Sequence, residues 1–115
     1  MRDYKKYDIW KIAHELVKEI YVISENFPKS ELFGLTSQIR RASVSIPTNI
    51  AEGSGRSTDK EFARFIEISI GSTNETEYLL LLSCDLGFTS ENDIANLNAK
   101  LNLTRKKLYN LEKNY

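Results

Sequence analysis

The chain has 115 residues, 41% of them apolar and 28% charged, which fits one soluble globular domain and excludes a disordered chain. Sixteen basic residues balance sixteen acidic ones, so bulk charge does not drive the chain onto nucleic acid, although a local basic patch stays open. The one cysteine, Cys84, excludes an intrachain disulfide and suits a reducing compartment. No apolar run is long enough for a signal peptide or a membrane span, so the expected location is the cytoplasm, with no membrane partner.

Four segments carry helical periodicity. In the first, from Asp8 to Asn26, Ile9, Ile12, Leu16, Ile20, Ile23 and Phe27 form one apolar stripe. Asp8 is the expected cap and Pro28 the stop. Trp10, Val17 and Tyr21 form a second stripe that a helix facing a single core does not need.

The second segment runs from Glu31 or Leu35 to Gly53. Leu35, Ile39, Ala42, Ile46, Ile50 and Gly53 keep one phase through Pro47, although proline removes the bond to the Ser43 carbonyl. The expectation is one helix kinked at Pro47, ended by the glycines of Glu52-Gly53-Ser54-Gly55.

Thr58-Asp59-Lys60-Glu61 opens the third segment as a capping box, and Gly87 is the expected left-handed stop after Leu86. Phe62, Ile66, Leu80 and Cys84 share one face; Ile68, Leu79 and Leu86 share another. So wide an apolar arc in a short chain implies burial by a second subunit. The fourth segment starts near Ser90. Its Ile94, Leu97, Leu101, Thr104, Leu108, Leu111 and Tyr115 alternate three and four apart, as in bundle seams. Short connections then predict an all-α fold, a single-domain antiparallel up-down-up-down four-helix bundle with a proline-kinked second helix.

Two stretches carry a family resemblance. One runs from Phe33-Gly34-Leu35-Thr36-Ser37-Gln38-Ile39-Arg40-Arg41-Ala42 through Ser43-Val44-Ser45-Ile46-Pro47-Thr48-Asn49-Ile50-Ala51-Glu52-Gly53-Ser54-Gly55-Arg56. The other joins Lys60-Glu61-Phe62 to Gly71-Ser72 and Leu86-Gly87-Phe88. With Asp8-Ile9-Trp10-Lys11, the sequence resembles the bacterial four-helix-bundle family named after the intervening sequences of 23S ribosomal RNA genes, also called S23-like. It is similar, too, to the accessory variability proteins of diversity-generating retroelements. The resemblance implies a four-helix protomer, a closed homo-oligomer (a pentamer in the family's pattern), a nucleic-acid role and no established enzymatic activity. At Thr73-Asn74-Glu75-Thr76-Glu77 the chain departs from the family's more apolar step, which keeps the helix but softens its apolar face.

Candidate chemistry is sparse. His14 is the one histidine, lies off the core stripe and has no ligand-spaced partner, so a surface role is expected. Cys84 reads as a small buried hydrophobe. Gly53 and Gly55 precede a helix but match neither phosphate-binding glycine motif, so they read as a flexible link. No catalytic, metal or cofactor residue is expected.

The basic cluster Arg40, Arg41, Arg56, Lys60 and Arg64 has two readings: a surface gripping the phosphates of RNA or DNA, or a charged face consumed by ion pairs. Arg41, Ser45, Thr48 and Glu52 fall within about a sixth of a turn, which suggests pairing between subunits. Arg105-Lys106-Lys107 is a weak second basic run. The expected protein is thus a non-catalytic homo-oligomeric scaffold. Its interface would draw on Trp10, Tyr21, Arg41, Ser45, Thr48, Glu52, Ile68 and Leu79, and its partner would be RNA, DNA or a nucleic-acid enzyme. The alternative is a structural or protein-interaction module with no nucleic-acid role.

Overall fold

The computed structural model describes residues 2–115. Local chemistry sets the ends of its helices. Thr58 Oγ1 accepts the Glu61 amide at the start of one helix, and Ser90 Oγ accepts the Asp93 amide at the start of another. At Gly87 the backbone turns to φ +79°. There the Gly87 amide donates to Cys84 O and the Phe88 amide to Ser83 O, the paired bonds of a Schellman stop.

The resulting helices are α1 (Asp8–Ser24), α2 (Leu35–Ser54), α3 (Asp59–Asp85) and α4 (Glu91–Glu112). Short 3-10 turns at Tyr4–Lys6 and Lys29–Glu31 precede α1 and α2, and no strand occurs among the described residues. One end differs from expectation. Tyr7, in extended backbone, takes the cap position of α1 and contributes no side-chain bond; Asp8 lies in the first turn, its carboxylate engaged by Lys107 Nζ at 3.1 Å. α2 ends, as expected, in Glu52-Gly53-Ser54-Gly55, with Ser54 last and Gly55 at the cap; Gly53 is buried in its final turn. A Cβ there would lie 2.6 Å from Phe65 Cβ and 3.0 Å from Phe62 Cδ1, so its missing side chain is what lets α2 and α3 approach.

α2 is continuous through Pro47. The carbonyls around the proline find side-chain donors: Thr48 Oγ1 donates to Val44 O at 2.7 Å, Asn49 Nδ2 to Ser45 O at 2.8 Å, and Ser69 Oγ of α3 to Ile46 O at 2.9 Å. The last of these ties α3 to the stretch of α2 that the proline weakens.

The four helices pack into one bundle. α3, at 27 residues, extends about 40 Å at the helical rise, close to the molecule's 43 Å long axis. Side-chain pairs tie the helices to one another: Asp8 pairs with Lys107, Glu19 with Lys100, Ser24 with Arg40, Ser45 with Ser72, and Glu77 with Arg105. Ile9, Ala13, Leu16 and Ile20 of α1 face Ile39, Ile46 and Ile50 of α2, Phe62, Ile66 and Leu80 of α3, and Leu97, Leu101 and Leu108 of α4. Each buried Ile, Leu or Phe among them contributes about 1.5–3 kcal/mol by leaving water.

Leu79 is a correction: at 2% exposed it belongs to this core and is not free to meet a second subunit. α3 packs against both α2 and α4, which cover Leu79, while Ile68, Tyr78, Leu81 and Leu86 of its apolar arc stay exposed. Thr73 and Thr76 are fully buried as well. Their hydroxyls donate to Ser69 O and Ser72 O of the preceding turn, at 2.8 Å each, so polar residues enter the core already satisfied.

Candidate functional site

The five basic candidates fall in three places. Arg40 turns toward α1. Its Nε donates to Ser24 Oγ at 2.8 Å, one terminal nitrogen pairs with Glu25 at 3.3 Å, and the guanidinium lies 4.6 Å over the Tyr21 ring. Arg40 is therefore a strut between α1 and α2, which removes it from a phosphate-binding surface. Tyr21, 43% exposed, is half of that strut. The reason lies in partners that precede Arg40 in the chain and meet it only when α1 folds back.

Arg41 points elsewhere. It is exposed on the α2–α3 face, and among the described residues it forms no ion pair. Pairing with Glu52 of its own chain does not occur: the two sit three turns apart on one helix. Ser45 is half-buried, accepting from Asn49 Nδ2 at 2.9 Å and from Ser72 Oγ at 2.8 Å; Thr48 and Glu52 are exposed on the same side of α2.

Arg56, Lys60 and Arg64 gather where α2 passes into α3, about 20 Å along the axis from Arg41. All three are exposed and none pairs with a carboxylate among the described residues. The Arg56 guanidinium rests 4.6 Å over the Phe65 ring, and Arg2 of the N-terminal segment donates to the Arg56 carbonyl at 2.8 Å. Arg2 also pairs with Asp59 and lies 4.5 Å over Phe62, whose ring meets Tyr115 edge-on at 4.9 Å. The N-terminus, the link and the C-terminus are thus tied at one point beneath the basic end. Glu61 and Glu67 share a depression with Lys60, Arg64 and Tyr115, so the field there is mixed.

The remaining candidates scatter. Trp10 is half-buried between Tyr4, edge-on at 5.1 Å, and His14, stacked at 5.0 Å. These residues wall a shallow apolar cleft with Val44, Pro47 and Ala51. Ile68 is 42% exposed on α3.

Titratable groups with shifted affinity for protons lie apart from one another. Cys84, half-buried on α3, is pushed up by burial and by Glu91, Asp85 and Asp93, which holds it as a thiol and not a thiolate nucleophile. Tyr7 is pushed up to about 12 by burial and by the Tyr115 hydroxyl beside it. Glu112 is raised by burial and by its hydrogen bond and charge contact with Glu67. Among the described residues no His, Cys, Asp and Glu side chains cluster as metal ligands, and no helix is long and apolar enough to cross a membrane.

Residues 5–110 match the model of the 23S rRNA-intervening sequence proteins. The chain belongs to that family. A crystal structure of a protein of unknown function from the S23 ribosomal protein family of Bacteroides thetaiotaomicron VPI-5482 has the same fold. Its TM-score is 0.81 at 24% identity, over 91% of this chain and 98% of that one. Among curated proteins none matches. The family assignment takes in α1 through α3 entire and nearly all of α4, with the basic end and the α2–α3 face inside it.

Sequence reasoning missed Phe33, which is 94% exposed, and gave Glu75 no role. For Phe33 the signal was present: Leu32-Phe33 is an apolar pair outside every helical stripe, immediately before Gly34. Glu75 has no such signal, because its meaning depends on which α2 residue lies across from it.

Proposed function

We propose that the chain is a non-catalytic, cytoplasmic scaffold that assembles with copies of itself, in a closed ring such as a pentamer, and binds RNA or DNA. The observation that carries this reading is the end of the molecule where Arg56, Lys60 and Arg64 stand exposed without internal ion pairs. Cations held in that way cost little to transfer to phosphate, because no internal partner is abandoned. The name of the family supports an RNA-linked setting. Partnership with a nucleic-acid enzyme is compatible with the same surface.

Self-association is supported by exposed apolar side chains on three of the helices or their links: Phe33, Ile68, Tyr78, Leu81 and Leu103. The non-catalytic reading is supported by the state of the two side chains most suited to chemistry, Cys84 held as a thiol and His14 stacked on Trp10. The test is binding of labelled duplex RNA and DNA to the assembled protein across a salt series. Affinity that falls steeply with salt and weakens on replacing Arg56, Lys60 and Arg64 together by alanine supports the reading. No binding at low salt leaves the structural scaffold alone.

A further inference from the structure

Between α2 and α3 the surface opens into a groove of about 560 Å³ lined by Phe33, Gly34, Ser37, Arg41, Ser45 and Glu75. Its floor is tied across the two helices at Ser45. Ser72 Oγ donates to Ser45 Oγ at 2.8 Å, and Asn49 Nδ2 donates to the same oxygen at 2.9 Å, so Ser45 Oγ already accepts two hydrogen bonds. The rim is not satisfied. Arg41 on one side and Glu75 on the other are exposed, opposite in charge, and without an ion pair among the described residues. At the mouth stands Phe33, 94% exposed, a ring that stabilises nothing in its own protomer. Beside Ser72, Gly71 has open space where a Cβ would be, which lets another backbone come close.

We propose that this face is a contact between two copies of the chain, in which Arg41 of one copy pairs with Glu75 of its neighbour while Phe33 is buried against that neighbour. Charge complementarity selects the occupant. The groove carries both a cation and a carboxylate, an apolar knob, and a depression of small residues able to receive one, so a second copy of the chain offers each rim its opposite charge. Nucleic acid fits it poorly: a phosphate drawn to Arg41 meets Glu75 on the opposite rim, and Phe33 stays wet. An arginine–carboxylate pair at the edge of a desolvated aromatic ring is the arrangement that gives an interface both register and energy. The proposal rests on the self-association proposed above and names the face that carries it. It also moves the partner of Arg41 from Glu52 to Glu75.

The test is charge reversal with rescue, read by light scattering and sedimentation at micromolar protein, with circular dichroism to confirm the fold. Arg41→Glu and Glu75→Arg should each raise the dissociation concentration at least roughly tenfold, the scale of a broken interfacial charge pair. The double variant Arg41→Glu, Glu75→Arg should return it to within about threefold of wild type, because the pair is restored with its ends exchanged. Phe33→Asp should dissociate the assembly at unchanged helicity, since the ring touches no core of its own. If the single reversals dissociate the protein and the double does not recover, the pairing is overturned. If the wild type assembles and all four variants keep its mass, this face is overturned while self-association stands through another face. A wild type that is monomeric throughout overturns self-association and this contact together.

Discussion

Gly53, in the last turn of α2, and Gly71, midway along α3, are physical opposites. Adding a methyl group at Gly53 drives it to 2.6 Å from Phe65 Cβ, an atom fixed to the α3 backbone, so the two helices must part. Gly53→Ala is expected to lose about 1–3 kcal/mol by overpacking, more than the ~1 kcal/mol its helix propensity returns. At Gly71 nothing lies within 4 Å. Gly71→Ala is expected to gain roughly 0.5–1 kcal/mol through the unfolded chain. Urea denaturation of the two variants measures both signs. Glu112 supplies a pH test at the same scale. Burial first, and then Glu67, raise its carboxyl above the ordinary 4.5. The folded protein therefore holds a proton that the unfolded chain releases. The stability this proton gives is fully present below the ordinary carboxylate range and is lost as pH rises through the raised value. Glu112→Gln, a fixed stand-in for the protonated acid, should melt higher than wild type at neutral pH, with the gap closing as pH falls below 4.5.

The helices show which physics is legible in one dimension. Thr58, Ser90 and Gly87 act where they stand because a cap needs only its own next three or four residues. The core phase of α2 through Pro47 is legible for the same reason, since periodicity is a local property. What failed depends on neighbours brought by the fold. The close fit of Gly53 against Phe65 is not legible, because Phe65 lies on the next helix. Leu79 was assigned to another subunit because sequence alone does not show that α2 and α4 both flank α3. Arg40 was placed with the free cations because Ser24, Glu25 and the Tyr21 ring reach it only in three dimensions. Pro47 carries the element-scale prediction. Its ring is buried, and the donors from Thr48, Asn49 and Ser69 already serve the carbonyls about it. Pro47→Ala restores an amide that can reach Ser43 O and relieves a helix penalty of about 3 kcal/mol. Against this stands the loss of two buried methylenes, about 0.8 kcal/mol each. Helicity by circular dichroism should be unchanged and stability equal to or above wild type. A variant that loses its fold would mean the proline ring is a packing element the bundle cannot replace.

At the scale of the molecule, zero net charge conceals an uneven distribution. The α1–α4 face is laced by Glu19–Lys100 and Asp8–Lys107, and α3 holds α4 through Glu77–Arg105. These cations are engaged; Arg56, Lys60 and Arg64 are not, and they share one end. A single copy is a weak ligand for nucleic acid, because Glu61 and Glu67 stand in the same depression and three cations release few counterions. Repetition changes this. Each cation that meets a phosphate adds about 0.9 to the log–log salt slope on duplex DNA, and copies held in one assembly engage a strand together. Wild type should therefore bind with a slope well above that of a disassembled variant such as Phe33→Asp, whose non-specific affinity should fall toward about 10⁻⁴ M at physiological salt. Arg56→Ala should lower the slope of the intact assembly without changing its mass, because its side chain lies on Phe65 and touches neither the Arg41 groove nor the core seam. Arg41→Glu should act in the other order, breaking assembly first and binding only as a consequence. Titrations of both variants over a salt series, each with its mass measured alongside, decide the matter. If Arg56→Ala leaves the slope at the wild-type value, the basic end does not touch phosphate.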